Sequence, residues 1–166
     1  MNAKKAVIIK LTSFIPAIFL LLLIFGFSAQ DGEASGSLSF EISMFLVKLF
    51  SPLLPVSTTE ATLIEYAEQL HLYVRKAAHM TEYFLLALSL QLPLAAYLSR
   101  LSFWKARIFL GFFCTVIFAA LDEFHQTFVP GRSGNVIDVC IDSAGTLAAS
   151  LCLYVIYLLH QKKLAR

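Results

Sequence analysis

The chain has 166 residues, 58% of them hydrophobic and 14% charged, with a formal net charge of +2 and a mean hydropathy of +0.76. One soluble core of this length cannot bury so much apolar surface, which excludes an ordinary water-soluble domain and points to an integral membrane protein. With no basic stripe interleaved with aromatics, nucleic acid is not expected as a partner, and the lipid bilayer is.

Crossing about 30 Å of hydrocarbon takes roughly 20 apolar helical residues, because unpaired backbone groups are too costly in lipid. The predicted fold is an all-α integral membrane protein: a four-transmembrane-helix bundle in a single domain over 1–166, with extracytoplasmic amphipathic helices in the first loop. The first span covers about 7–27, and no charge interrupts residues 11–30. Lys4, Lys5 and Lys10 resemble the front of a signal peptide. The long apolar run, with no small-x-small cleavage site after it, predicts a retained anchor.

Some 49 residues separate the first two spans. Residues 28–32 and 35–37 read as turns. Over 38–51, Ile42, Phe45, Leu46, Leu49 and Phe50 recur at helical spacing with Glu41 and Lys48 elsewhere, which predicts a helix on the outer membrane surface or against the bundle. Pro52 and Pro55 end it, and Ser57 with Glu60 makes a capping box that opens a second outer helix over 58–75. Nothing breaks the chain from Glu60 to Leu92, so this helix either runs on into the second span, about 77–98, or bends near Arg75, and Pro93 can kink the inner half of that span.

The third span, about 104–121, offers only 14 uncharged residues between Arg107 and Asp122, about 21 Å of helix. Lys105 and Arg107 must snorkel, and Asp122 and Glu123 must sit at the opposite interface. The fourth span, about 136–159, opens with Asp138 and Asp142 ahead of 19 uncharged residues. Nine of the thirteen basic residues lie in the N-terminal flank, around Arg100, Lys105 and Arg107, and in the tail with Lys162, Lys163 and Arg166. Those regions, and both termini, are predicted to be cytoplasmic. All eleven carboxylates fall within 31–82 or 122–142, on the outer side of the same topology. Cys114, Cys140 and Cys152 lie inside predicted spans and read as packing residues rather than a disulfide or metal framework.

The polar residues form three stripes at one membrane depth. Arg75, Lys76, His79, Glu82 and Tyr83 stand on the second span; Asp122, Glu123 and Gln126 end the third; Asp138, Asp142 and Gly145 follow Asn135 on the fourth. Ionisable groups at such depth cost roughly 2.5–3.5 kcal/mol each, so they face the bundle interior and pair. A plain structural network would set Arg75, Lys76 and Arg132 against Glu82, Asp122, Glu123, Asp138 and Asp142. Five acids against three bases leave negative charge, which a bound divalent cation, a proton or a basic ligand would offset. His79, taken alone, reads first as a hydrogen-bonded bundle residue. The run 129–134 reads as a tight turn with a glycine at positive φ, and its Arg132 and free amides suit a phosphate.

In order, Phe27-Ser28-x-Gln30 with Ser35, Arg75-Lys76-x-x-His79-x-x-Glu82-Tyr83, Asp122-Glu123-x-x-Gln126 followed by Pro130-Gly131-Arg132, and Asp138-x-x-x-Asp142-x-x-Gly145 resemble the VanZ-like family over nearly the whole chain. Many relatives carry Asn in place of Asp142 and Ser-Ser-Gln in place of Ser28-Ala29-Gln30. The resemblance implies a multi-pass protein of the bacterial cytoplasmic membrane with an envelope role, linked through the family's namesake to teicoplanin resistance. It implies no settled reaction.

Three functions fit these residues. In the first, an outer-leaflet site binds an anionic head group of an envelope lipid or lipid-linked cell-wall intermediate, with Arg75, Lys76 and Arg132 on phosphate and the carboxylates orienting them. The second is a metal-assisted enzyme acting on phosphate, in which His79, Glu82, Asp122 and Asp138 supply a metal ligand and a general base. The third is a structural or partner-binding role for the network and the outer amphipathic helix.

Overall fold

In the computed structural model the described residues are 3–53, 59–99 and 104–164; Pro55, Ser57, Arg100 and Arg166, and the expectations attached to them, lie outside these. The described residues form α1 (Ala3–Thr12), α2 (Ile15–Ser28), α3 (Gly32–Phe50) with a 3-10 turn at Ser51–Leu53, α4 (Glu60–Ser89), α5 (Gln91–Tyr97), α6 (Trp104–Gln126) and α7 (Val136–Leu164), and no strand.

Local chemistry sets the boundaries. Pro16 at the start of α2 has no N–H for the preceding turn, so the first apolar run breaks at Ser13 and Phe14, and the Thr12 and Ser13 hydroxyls turn back onto Ile8 O (3.0 Å) and Lys10 O (2.7 Å). Asp31 caps α3, its Oδ1 accepting from Ala34 N–H at 2.7 Å. Residues 35–37 are therefore helical, not the turn expected from their composition; Ser37, Ser39 and Ser43 bond back to carbonyls three or four residues earlier, which satisfies them inside a helix. Helix α4 is capped by Thr59, whose Oγ1 accepts from Thr62 N–H at 3.3 Å, and continues unbroken for 30 residues, about 45 Å. The discontinuity at Leu90 falls at the turn that Pro93 cannot close onto Ser89.

Four stretches among the described residues are long and apolar enough to cross a membrane: Ala3–Ser28, Gly32–Leu53, Trp104–Gln126 and Val136–Lys163. Three match the first, third and fourth predicted spans. The remaining one is α3, read from the sequence as an outer helix, whereas the predicted second span falls on the second half of α4 and on α5. That half of α4 still holds Arg75, Lys76 and Glu82, and its apolar stretch is completed only by α5 across the break.

Helix α4 is the axis of the fold and packs most extensively on α7, then on α3. It runs parallel to α7, bringing Lys76 beside Asp138 and the Met80 carbonyl against Gly145, while α6 and α7 are antiparallel, with Trp104 stacked on His160. A Cβ on Gly145 would run into the Met80 carbonyl, so glycine permits this close approach. Ala17, Ile24, Tyr83, Leu86 and Ala119 form the buried cluster. Outward-facing Phe19, Leu22, Phe109, Ile117, Leu151 and Val155 are more than half exposed, an apolar belt of the kind lipid covers. Cys114, Cys140 and Cys152 are exposed as well; they lie on outward faces of the helices and do not pack inside the bundle, a correction to the sequence reading.

Charge divides the two ends. At one, Lys10 lies over the Tyr97 ring, Lys105 over Tyr157 and Arg107 over Trp104. At the other sit Arg75, Lys76, Arg132 and the carboxylates. Residues 60–74 of α4 precede the level at which α7 begins, and α3 folds back on them with Ser39, Ser43 and Val47 buried, so an α3–α4 hairpin projects past the polar end.

Candidate functional site

A cavity of about 260 Å³ opens at the polar end, lined by Arg75, Lys76, His79, Glu123, Gln126, Arg132, Asp138 and Asp142 together with Leu72, Gly131, Ser133 and Ile141. Eight of the eleven predicted site residues thus meet there. Glu82 lines a neighbouring cavity instead. Tyr83 and Asp122 are buried, at 1% and 0% exposure, and line neither cavity.

The loop after α6 shapes one wall. Amides of Thr127, Phe128 and Val129 bond back to Phe124 O, His125 O and Gln126 O, Arg132 N–H reaches Val129 O at 3.1 Å, and Gly32 N–H ties the loop to α3 through Pro130 O at 3.0 Å. Gly131 has φ of 71°, a left-handed conformation that favours glycine. The turn aims Arg132 at the end of α2: Nε donates to Gln30 O at 2.8 Å, Nη2 to Phe27 O at 2.8 Å and Nη1 to Gln126 Oε1 at 3.3 Å. Carbonyls left free at a helix C-terminus attract a cation, so Arg132 fastens α2 to the loop. Burial pulls its guanidinium down from the ordinary value and Arg75 pushes the same way, while Asp122, Glu123 and Asp31 oppose them.

Lys76 Nζ donates to Asp138 Oδ1 at 2.6 Å, the one salt bridge among the described residues. The wider ion-pair network expected from the sequence is absent among them. Asp122, Glu123 and Asp142 are 0%, 5% and 1% exposed and pair with no cation; neutral donors hold two of them. Gln126 Nε2 donates to Asp122 Oδ2 and to Glu123 Oε1, both at 3.2 Å. Asn135 N–H donates to Glu123 Oε2 at 3.0 Å, and its side chain opens α7 by accepting from Ile137 N–H. Buried Asp142 Oδ2, His125 Nδ1 and His79 Nδ1 have no hydrogen-bond partner among the described residues. For His79 this concerns Nδ1, the nitrogen that a hydrogen-bonded bundle residue could have used.

Arg75 makes no hydrogen bond or ion pair with another described side chain, and it faces the cavity. It is the cation least committed to structure. Asn135 and the Gln30 carbonyl shape the site from outside the predicted set; the Asn before Val136 carried a helix-cap signal, whereas a role for a main-chain carbonyl carries none. No three His, Cys, Asp or Glu side chains among the described residues are grouped to hold a metal ion.

Four apolar helices long enough to cross a membrane, with a charged cavity at one end of the bundle, fit a multi-pass membrane protein bearing a polar site. The chain belongs to the VanZ/LLP1 family, whose model matches residues 13–158 and so takes in every cavity-lining residue. No curated protein and no solved structure matches it.

Proposed function

We propose that this VanZ/LLP1 protein binds the anionic head group of a phosphorylated envelope lipid or lipid-linked cell-wall intermediate in the cavity at the polar end. The observation that carries the reading is the meeting of Arg75, Lys76 and Arg132 on one concave surface, with Arg75 uncommitted. A volume of about 260 Å³ falls below the roughly 300–1,000 Å³ of drug-sized sites, which suits a head group rather than a whole lipid. Guanidinium groups recognise phosphate by paired N–H donors, and Glu123, fixed by Asn135 and Gln126, keeps the neighbouring wall in place.

Positive charge gathered at the opposite end favours a bacterial cytoplasmic membrane with both termini in the cytoplasm and the cavity outside. Changed susceptibility to a glycopeptide such as teicoplanin would then follow indirectly from altered handling of envelope lipid.

The enzyme alternative draws on one observation, the unpartnered His79 Nδ1 beside the arginines, which suits acid–base work at a phosphate. Its metal-assisted form needs ligands that the described residues do not group together.

Native mass spectrometry of the purified protein tests the binding proposal. Wild type is expected to retain an anionic lipid and Arg75→Gln to lose about tenfold of that occupancy, the effect of one charge-assisted contact. Equal retention by both removes the proposal.

A further inference from the structure

The cavity wall made by Arg75, His79 and Arg132 has a second cavity behind it, of about 180 Å³, lined by the same three residues. Most of the surface of this second space is apolar, with Gln30, Ser35, Ser39 and Glu82 also on its wall. Phe27 bounds it on α2, Val74 and Ala78 on α4, and Leu38 and Ile42 on α3. Leu38 and Ile42 begin a stripe that Phe45 and Leu49 extend at i, i+4, i+7 and i+11, and all four are exposed. The stripe leads from the polar cavity along the projecting hairpin. By contrast, the apolar groove between α6 and α7 begins at Lys105 and Ile108 and shares no residue with the polar cavity.

We infer that this second space and the α3 stripe hold the hydrocarbon chain of the ligand, so that the ligand is an amphiphilic phosphate lying across the Arg75–His79–Arg132 wall and not a free anion. The inference rests on the head-group reading above and adds the ligand's class and direction. The stripe runs past the polar end, so a chain lying on it exchanges bilayer hydrocarbon for one apolar protein face and gains little free energy from the move. The groove therefore sets which way the chain points, while the arginines supply the affinity. Head-group contacts on one side of the wall and hydrocarbon on the other place the polar–apolar junction of the ligand at the arginines, where a guanidinium can serve both: its N–H edges take phosphate and its stem lies along the chain.

The test uses the full chain in phosphatidylcholine nanodiscs, with hexadecyl phosphate carrying a diazirine at mid-chain as the probe, and peptide mass spectrometry to place the photolabel. Label is expected on α3 between Leu38 and Leu49, lowered about tenfold by excess inorganic pyrophosphate and, separately, by Arg75→Gln. Label that responds to both but lies on α6 or α7 overturns the chain track and leaves the head-group reading standing. Label that responds to neither overturns both.

Discussion

Arg75 and Arg132 line the same cavity, yet their removal should read out differently. Arg132 makes two hydrogen bonds to carbonyls at the end of α2 and a third to the Gln126 side chain of α6, and leaving those partners unpaired costs about 1–3 kcal/mol each at most; Arg132→Gln should lower the thermal unfolding midpoint in detergent. Arg75→Gln should leave that midpoint nearly unchanged, within about 0.5 kcal/mol of stability, as for a side chain outside any network. Lys76 and Asp138 are a third case. Their side chains are 44% and 35% exposed, so solvent screens the pair and Asp138→Asn should cost no more than about 1 kcal/mol. The same change frees the ammonium, and anion binding measured by calorimetric titration should strengthen; weaker binding would mean that Asp138 contacts the ligand or that Lys76 does not.

At the scale of elements, the α4–α7 crossing at Gly145 and Met80 fixes the depth at which Lys76 meets Asp138. Gly145→Ala puts a methyl group against the Met80 carbonyl and should cost about 1–3 kcal/mol as overpacking, read as a lower midpoint together with weaker anion binding. Unchanged values for both would show that the two helices do not approach as closely as described. Much of this level was legible in the sequence. The lack of any breaker between Glu60 and Leu92 left a continuous α4 or a bend near Arg75 open, and the helix runs unbroken through Arg75; the convergence of charge followed from stripes at a common depth. The misses have physical causes. Serines at 35–37 look like turn formers, yet once Asp31 supplies a cap the Ser37 hydroxyl bonds back to Ala34 O and the Ser35 carbonyl accepts from Ser39, both within the helix. Glu82 and Tyr83 lie about 10 Å further along α4 than Arg75, and Asp122 is rotated about 100° from Glu123 on α6, so neither stripe could reach the cavity with every member. Pairing was the least legible feature, because Gln126, Asn135 and main-chain carbonyls took the places expected for opposite charges.

For the whole molecule, one side of the membrane must hold the cavity and the other the basic ends of α1, α6 and α7. Helix α3 is apolar enough to cross, yet it packs on a part of α4 beyond the polar end; its exposed stripe of Leu38, Ile42, Phe45 and Leu49 is suited to lie in a membrane interface. The most direct measurement is labelling of Ser133→Cys, at the exposed rim of the cavity, by a membrane-impermeant maleimide in intact bacteria, in a chain whose three native cysteines are replaced by serine and with Lys163→Cys as the opposite marker. The expected result is Ser133→Cys labelled from outside and protected by excess pyrophosphate, with Lys163→Cys silent until the membrane is permeabilised. Labelling of Ser133→Cys only after permeabilisation, or labelling that pyrophosphate leaves unchanged, would contradict an outward-facing anion cavity.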